Sequence, residues 1–223
     1  HQDYDIEFFW DPVCPFAWIT SRWVVKVAAQ TGYRVDWRFI SLRLINKHKD
    51  YATDFPPEYE FGHTAGLRML RVAAAVRAEL GREPLGALVT AYGESHWDLP
   101  REEGLARRLS TPEHVSRVLT AAGLADRFAD ALDDDSWDAS LDAESELALS
   151  RTGRDVGTPI IATANAKGEQ AGYFGPVITG IPPRDEGLAM WDALMAMMSV
   201  DSFFELKRTR TGNPDPGPRP TPR

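Results

Sequence analysis

Trp10-Asp11-Pro12-Val13-Cys14-Pro15-Phe16-Ala17-Trp18 joins an extended apolar run, Tyr4 to Phe9, to a segment from Ile19 to Ala29 in which Trp23, Val24, Val27 and Ala28 recur at helical spacing. The only cysteine of the chain therefore stands where a strand ends and a helix begins. Free N–H groups in the first helical turn and the positive end of the helix dipole stabilise an anion, so a thiol there is expected to titrate well below the roughly 8.5 of a free cysteine. Pro15 suits the first helical position, where its missing N–H is not needed and its φ is already right.

Outward from that stretch, Asp5 to Trp10 reads as a strand, Pro15 to Gln30 as a helix closed by Gly32, and Tyr33 to Ser41 as a second strand with Val35, Trp37 and Phe39 on one face. Strand, helix and strand with short connections make a βαβ unit with parallel pairing. The pattern breaks from Leu42 to Glu60, where Asn46 to Asp50 is polar and Phe55 to Tyr59 reads as a loop and helix entry. Helical stripes follow: Met69, Val72, Ala73, Val76 and Leu80, then Leu85, Leu88, Val89 and Tyr92. Thr111-Pro112 caps a further helix through Val115, Val118, Leu119 and Ala122 to Gly123; Leu124, Phe128 and Leu132 continue the pattern, and Trp137, Leu141 and Ala148 mark a last helix ending near Gly153.

Ile160 to Thr163, a polar turn at Asn165 to Glu169, and Ala171 to Phe174 read as a hairpin. Pro182 and Pro183 then introduce a helix whose apolar face is Leu188, Trp191, Leu194, Met195 and Met198. This order predicts an α/β thioredoxin-like fold with a large all-helical insertion. Residues 1–60 and 154–211 form the discontinuous thioredoxin-like domain, and 61–153 the helical insertion. Residues 212–223, rich in proline and without a core residue, form a disordered tail.

The strand–Cys–Pro–x–x–helix opening, the helical insertion and Thr158-Pro159 before the third strand resemble the DsbA-like branch of the thioredoxin superfamily. More specifically, several blocks are similar in order to the mycothiol-dependent nitroreductase family. They are Phe9-Trp10-Asp11-Pro12, Trp18-Ile19-Thr20-Ser21-Arg22-Trp23, Asp155 to Pro159, Phe174-Gly175-Pro176-Val177 and Phe203 to Arg210. The resemblance reaches to about Thr211. It implies that Cys14 is the nucleophile, that Pro159 is a cis proline lying against its sulfur, and that the Thr158 backbone offers hydrogen bonds to a bound thiol. It also implies mycothiol as cosubstrate, with no tightly bound cofactor. Trp10, Phe16 and Trp18 flank the thiol and, with Pro15 and Ala17, are candidates for lining the substrate and thiol site; at least one of these aromatic rings is expected to be core.

Ala17 departs from the Cys-x-x-Cys pattern of redox members. A dithiol enzyme resolves its mixed disulfide internally, and this chain has no second thiol to do so. Turnover through Cys14 is therefore monothiol, ended by an external thiol. The alanine reads as a natural monothiol variant, since nothing else in the chain is disturbed, or as an engineered trap for the mixed disulfide.

Three readings follow: a mycothiol-using reductase of disulfides or electrophiles such as nitroaromatics; a thiol transferase or isomerase of the kappa-class glutathione transferase type; and a binding module that kept the fold without catalysis. A single cysteine excludes an internal disulfide and agrees with a reducing, cytoplasmic setting. A net charge of −8 argues against a general nucleic-acid binder, and no apolar run approaches a membrane span. A low-molecular-weight thiol and a small substrate are the expected partners, with a homodimer left open. His48, His63, His96 and His114 lack metal-ligand spacing; His63, at the entrance to the insertion, either faces the cleft or, on the plainer account, is a surface residue. Asp133-Asp134-Asp135 reads as a solvated turn, because Trp137 and Asp138 stand where a calcium loop needs an oxygen ligand and a glycine. No phosphate-binding glycine loop is present. Lys207 to Arg210 is either an anion contact or merely a basic end to the ordered chain.

Overall fold

The computed structural model describes residues 4–97, 105–164 and 168–215. Strand β1, Ile6–Trp10, leads into helix α1, Pro15–Thr31, which returns the chain to β2, Val35–Phe39. The first strand pairs in parallel with β2, placing Trp10 opposite Phe39. The second strand is shorter than Tyr33 to Ser41 because its ends bond elsewhere. The Arg34 N–H donates to Asp5 Oδ2 at 2.8 Å, and Ser41 Oγ accepts from Leu44 as the cap of a short helix α2, Leu42–Ile45. Gly32 closes α1 in the left-handed region at φ 78°, where a side chain would be strained.

A second short helix, α3, Tyr51–Asp54, precedes α4, Tyr59–Leu80, and α5, Leu85–Trp97. After these come α6, Leu105–Arg108, and α7, Pro112–Ala121, the latter capped by Thr111 with Pro112 at its first position. The stretch expected to continue as α-helix winds instead as 3₁₀ turns over Asp126–Asp133 and Asp135–Trp137. There Phe128, Ala131 and Leu132 keep the spacing that buries them. Asp134 accepts from the Ser136 N–H and so serves as the turn that hands the chain to α8, Asp138–Thr152.

Strands β3, Ile160–Ala164, and β4, Gln170–Phe174, form the hairpin, of whose connection residues 165–167 lie outside the described residues. The sheet order is β2-β1-β3-β4, with β3 antiparallel to β1. Strand alternation divides the core between the two faces. Ile6, Phe8, Trp10, Trp37, Phe39 and Ile161 face the larger cluster with α1, α4 and α5, whereas Phe9, Ile160 and Ala162 pack with Ala148 and Leu149 of α8. Helix α8, placed by the sequence in the helical insertion, thus covers one face of the sheet. Helix α9, Arg184–Met198, packs on α1 through Trp191 and Trp23, whose ring centroids are 5.8 Å apart.

After α9 the chain is irregular to residue 215; of the tail expected to be disordered, residues 216–223 lie outside the described residues. No helix among the described residues is long and apolar enough to cross a membrane.

The seat of α1 depends on one glycine. A Cβ on Gly93 of α5 would stand 2.0 Å from carbons of the Trp18 ring. Gly93→Ala is therefore expected to lower stability by about 3 kcal/mol, the upper end of core overpacking, seen as a lower denaturant midpoint with unchanged slope. A midpoint equal to the native one would show that α1 and α5 are not in this contact.

Candidate functional site around Cys14

Cys14 is the N-cap of α1, with extended backbone at φ −90° and ψ 113°. Its sulfur accepts the Ala17 N–H at 3.4 Å and lies 3.3 Å from the Thr158 carbonyl oxygen, to which the thiol donates. The Thr158-Pro159 peptide is cis, and so is Gly175-Pro176, for which the sequence reading made no provision. Thr158 is itself fixed by its hydroxyl, which donates to the Phe9 carbonyl at 3.3 Å. The start of α1 and the loop before β3 thus meet at the sulfur.

The expectation of a low thiol pKa is corrected here. Burial pushes the Cys14 thiol up to about 12, and the Asp11 charge adds to that, against the Ala17 and Phe16 N–H groups and the Arg210 charge, which pull it down. Helix-start donors are present, but with only 7% of the residue exposed, desolvation of a thiolate outweighs them. Alkylation of Cys14 by iodoacetamide is accordingly expected to climb roughly tenfold per pH unit past the ordinary thiol range, without a plateau near neutrality. A rate levelling off below the free-thiol pKa would overturn this. The sign for stability follows. The folded thiol holds its proton above the unfolded value, so its contribution is complete below the ordinary thiol pKa and is lost as pH rises toward about 12.

The structure divides the expected lining residues. Trp10, Ala17 and Trp18 are 3%, 1% and 6% exposed and so are packed in the core around the thiol. Both indole N–H groups are buried without an acceptor among the described residues. The three line a small cavity with Pro12, Ser21, Val89, Gly93 and Trp97, between α1 and α5. Pro15 and Phe16 are half-buried and reach the surface, and the Arg210 guanidinium lies 4.8 Å from the Phe16 ring centroid. A groove of about 590 Å³ lies elsewhere, between Tyr4, Arg34, Trp37, Arg82 and Thr90, and includes none of these residues.

Two residues escaped the sequence reading. Asp11 is 1% exposed, and its carboxylate accepts the Val13 N–H at 3.0 Å and the Leu42 N–H at 2.8 Å, tying the cysteine loop to the start of α2. Burial pushes that carboxyl up to about 7 despite these two bonds. Gly66 of α4 is required beside it, since a Cβ there would stand 2.5 Å from Asp11 Oδ1. An aspartate between an apolar strand end and a proline was the available signal.

The second is His63, which is not on the surface. It is 7% exposed and surrounded by Tyr51, Phe55 and Tyr59, with Nδ1 2.8 Å from the Tyr51 hydroxyl. Burial first, then the Arg43 and Lys49 charges, lowers its pKa to about 4, so the ring is neutral. The four-residue spacing of Tyr51, Phe55, Tyr59 and His63 was legible, but it crosses the short α3, a loop and the start of α4. No cluster of metal-ligating side chains occurs among the described residues.

Residues 13–208 match the family described as Rv2466c-like, after the mycothiol-dependent nitroreductase Rv2466c. The uncharacterized protein Rv2286c of Mycobacterium tuberculosis is 26% identical over 209 residues, covering 92% of this chain and 82% of that protein. Among solved structures, the cytosolic disulfide reductase DsbM from Pseudomonas aeruginosa superposes with a TM-score of 0.55 at 18% identity, over 86% of this chain and 98% of DsbM. Its structure with GSH gives the same figures. At that identity the likeness concerns the fold.

Proposed function

The chain belongs to the Rv2466c-like family of mycothiol-dependent nitroreductases and is an oxidoreductase of the thiol-dependent kind, and on that premise we propose that Cys14 is its single nucleophile and mycothiol its reductant. One observation supports this above the others. The only cysteine lies at the N-cap of α1, between the Ala17 N–H and the Thr158 carbonyl beside Pro159, with no thiol one turn further on.

The proposed cycle needs two external thiols. The Cys14 thiolate attacks one sulfur of a disulfide substrate; that S–S bond breaks, a new bond to Cys14 forms, and the other half leaves as a thiolate and takes up a proton. When mycothiol attacks the resulting mixed disulfide, the released half of the substrate carries away the second pair of bonding electrons. A second mycothiol then frees Cys14 as mycothiol disulfide forms. Two mycothiols are oxidised and one disulfide is reduced. With a nitroaromatic in place of the disulfide, the two electrons and two protons given up as two mycothiols become mycothiol disulfide break one N–O bond, leaving a nitroso group and water.

Burial is what holds the proton on Cys14, so deprotonation requires the cover over the sulfur to part. Once solvent or substrate enters, the Ala17 and Phe16 N–H groups remain to stabilise the thiolate.

The test is intact-mass spectrometry after exposure to mycothiol disulfide and, separately, glutathione disulfide. One mycothiol per chain, removed by added thiol and scarce with glutathione, is the expected result. No adduct from either disulfide, while the unfolded chain forms one, would leave Cys14 as a buried core thiol and sink the assignment.

A further inference from the structure

The segment from Phe203 to Asp215 is neither helix nor strand, yet it has a defined course. At its start the Tyr173 hydroxyl of β4 donates to the Phe203 carbonyl at 2.6 Å, and the two rings lie 5.7 Å apart. At its far end the Asp215 N–H donates to the Thr179 carbonyl at 2.6 Å, in the loop between β4 and α9. That loop is itself held to α1, because the Thr20 hydroxyl donates to the Pro176 carbonyl at 2.8 Å. Between the two anchors Arg210 comes down on Phe16, two residues beyond the thiol.

Burial of apolar side chains does not explain this course. Past the anchor at Phe203, whose ring is half-buried against Tyr173, Phe204 and Leu206 are 84% and 81% exposed and gain nothing from the strap's position. What the position achieves is electrostatic. A guanidinium seated on an aromatic face is fixed in place at small entropic cost, and here that face is Phe16, two residues from the group that must become an anion. Asp11 supplies the opposing negative charge from beneath, and the Ala17 and Phe16 N–H groups the remaining polarity.

We propose that the C-terminal strap is part of the Cys14 site and that Arg210 is its positioning residue for negative charge, stabilising the Cys14 thiolate and drawing anionic reactants to it from its seat on Phe16. This rests on Cys14 being the reacting group. It needs nothing from the identity of the thiol cosubstrate.

Two alkylating reagents of nearly equal size separate charge from access: neutral iodoacetamide and anionic iodoacetate, each reacted with the full chain at one pH. In Arg210→Gln the ratio of the iodoacetate to the iodoacetamide rate is expected to fall about fivefold at low salt, the scale of one exposed charge. Arg210→Lys should retain most of the native ratio, because it keeps the charge. At about 1 M salt the native and Gln ratios should converge, since screening then acts over roughly 3 Å. If both reagents speed up equally in Arg210→Gln, the strap is a steric cover and the proposal is overturned; an unchanged ratio overturns it as well. A native Cys14 that reacts with neither reagent would remove the nucleophile assignment, and with it this one.

Discussion

Cys14→Ser is expected to lower thiol-dependent turnover by on the order of 10³-fold or more, with the fold intact. Serine is among the best N-cap residues, and its hydroxyl can accept the Ala17 N–H that the sulfur now accepts, so helix α1 keeps its cap. What is lost is the chemistry. A hydroxyl in this position has no means of forming a bond to sulfur that a second thiol could reopen. Circular dichroism and the denaturant midpoint should match the native protein while turnover disappears. Turnover surviving within tenfold would point instead to activation of a bound thiol by the helix N-terminus, the chemistry of the transferase-type reading.

The second large effect is a gain. Ala17→Cys should convert the monothiol site into a dithiol one, with the mixed disulfide at Cys14 resolved internally and its lifetime shortened by on the order of 10²-fold. Position 17 is one helical turn beyond Cys14, and its N–H already reaches the Cys14 sulfur at 3.4 Å. The residue is buried and borders a cavity of only about 10 Å³ with Trp10, Trp18 and Ser21, so the added sulfur is admitted by a small shift of those side chains. After exposure to mycothiol disulfide, the native chain should hold an adduct, and the variant should show only the loss of two hydrogens. An equally long-lived adduct in both would mean that the two side chains cannot meet, and that the alanine is not what makes the site monothiol.

Much of the fold was legible because its signals are local. The apolar alternation of Ile6 to Trp10, the helical period after Pro15, the Thr111-Pro112 cap and the hairpin at Ile160 to Phe174 each depend on neighbours a few residues away. The 3₁₀ turns over Asp126–Asp133 were not, since the same i, i+3 and i+4 apolar spacing serves either helix type. Helix α8 was read with the insertion because its sequence neighbours are helical. Its packing partners, Phe9, Ile160 and Ala162, come from strands far away in the chain.

The site divides the same way. The sequence determined that a lone thiol caps a helix after a strand, that proline follows it, and that no second thiol stands one turn on. These are facts of order and spacing, and helix-end chemistry acts over a single turn. Only the tertiary structure decided the protonation of that thiol. Desolvation is set by everything packed around a group, and here Thr158 reaches the sulfur from 144 residues away while Cys14 shares one core cluster with residues of α4 and α5. The same holds for Asp11 and Arg210, whose partners Leu42 and Phe16 no spacing rule connects to them. Charge stabilisation by a helix start can be read along the chain, but the burial that opposes it is a property of the folded volume.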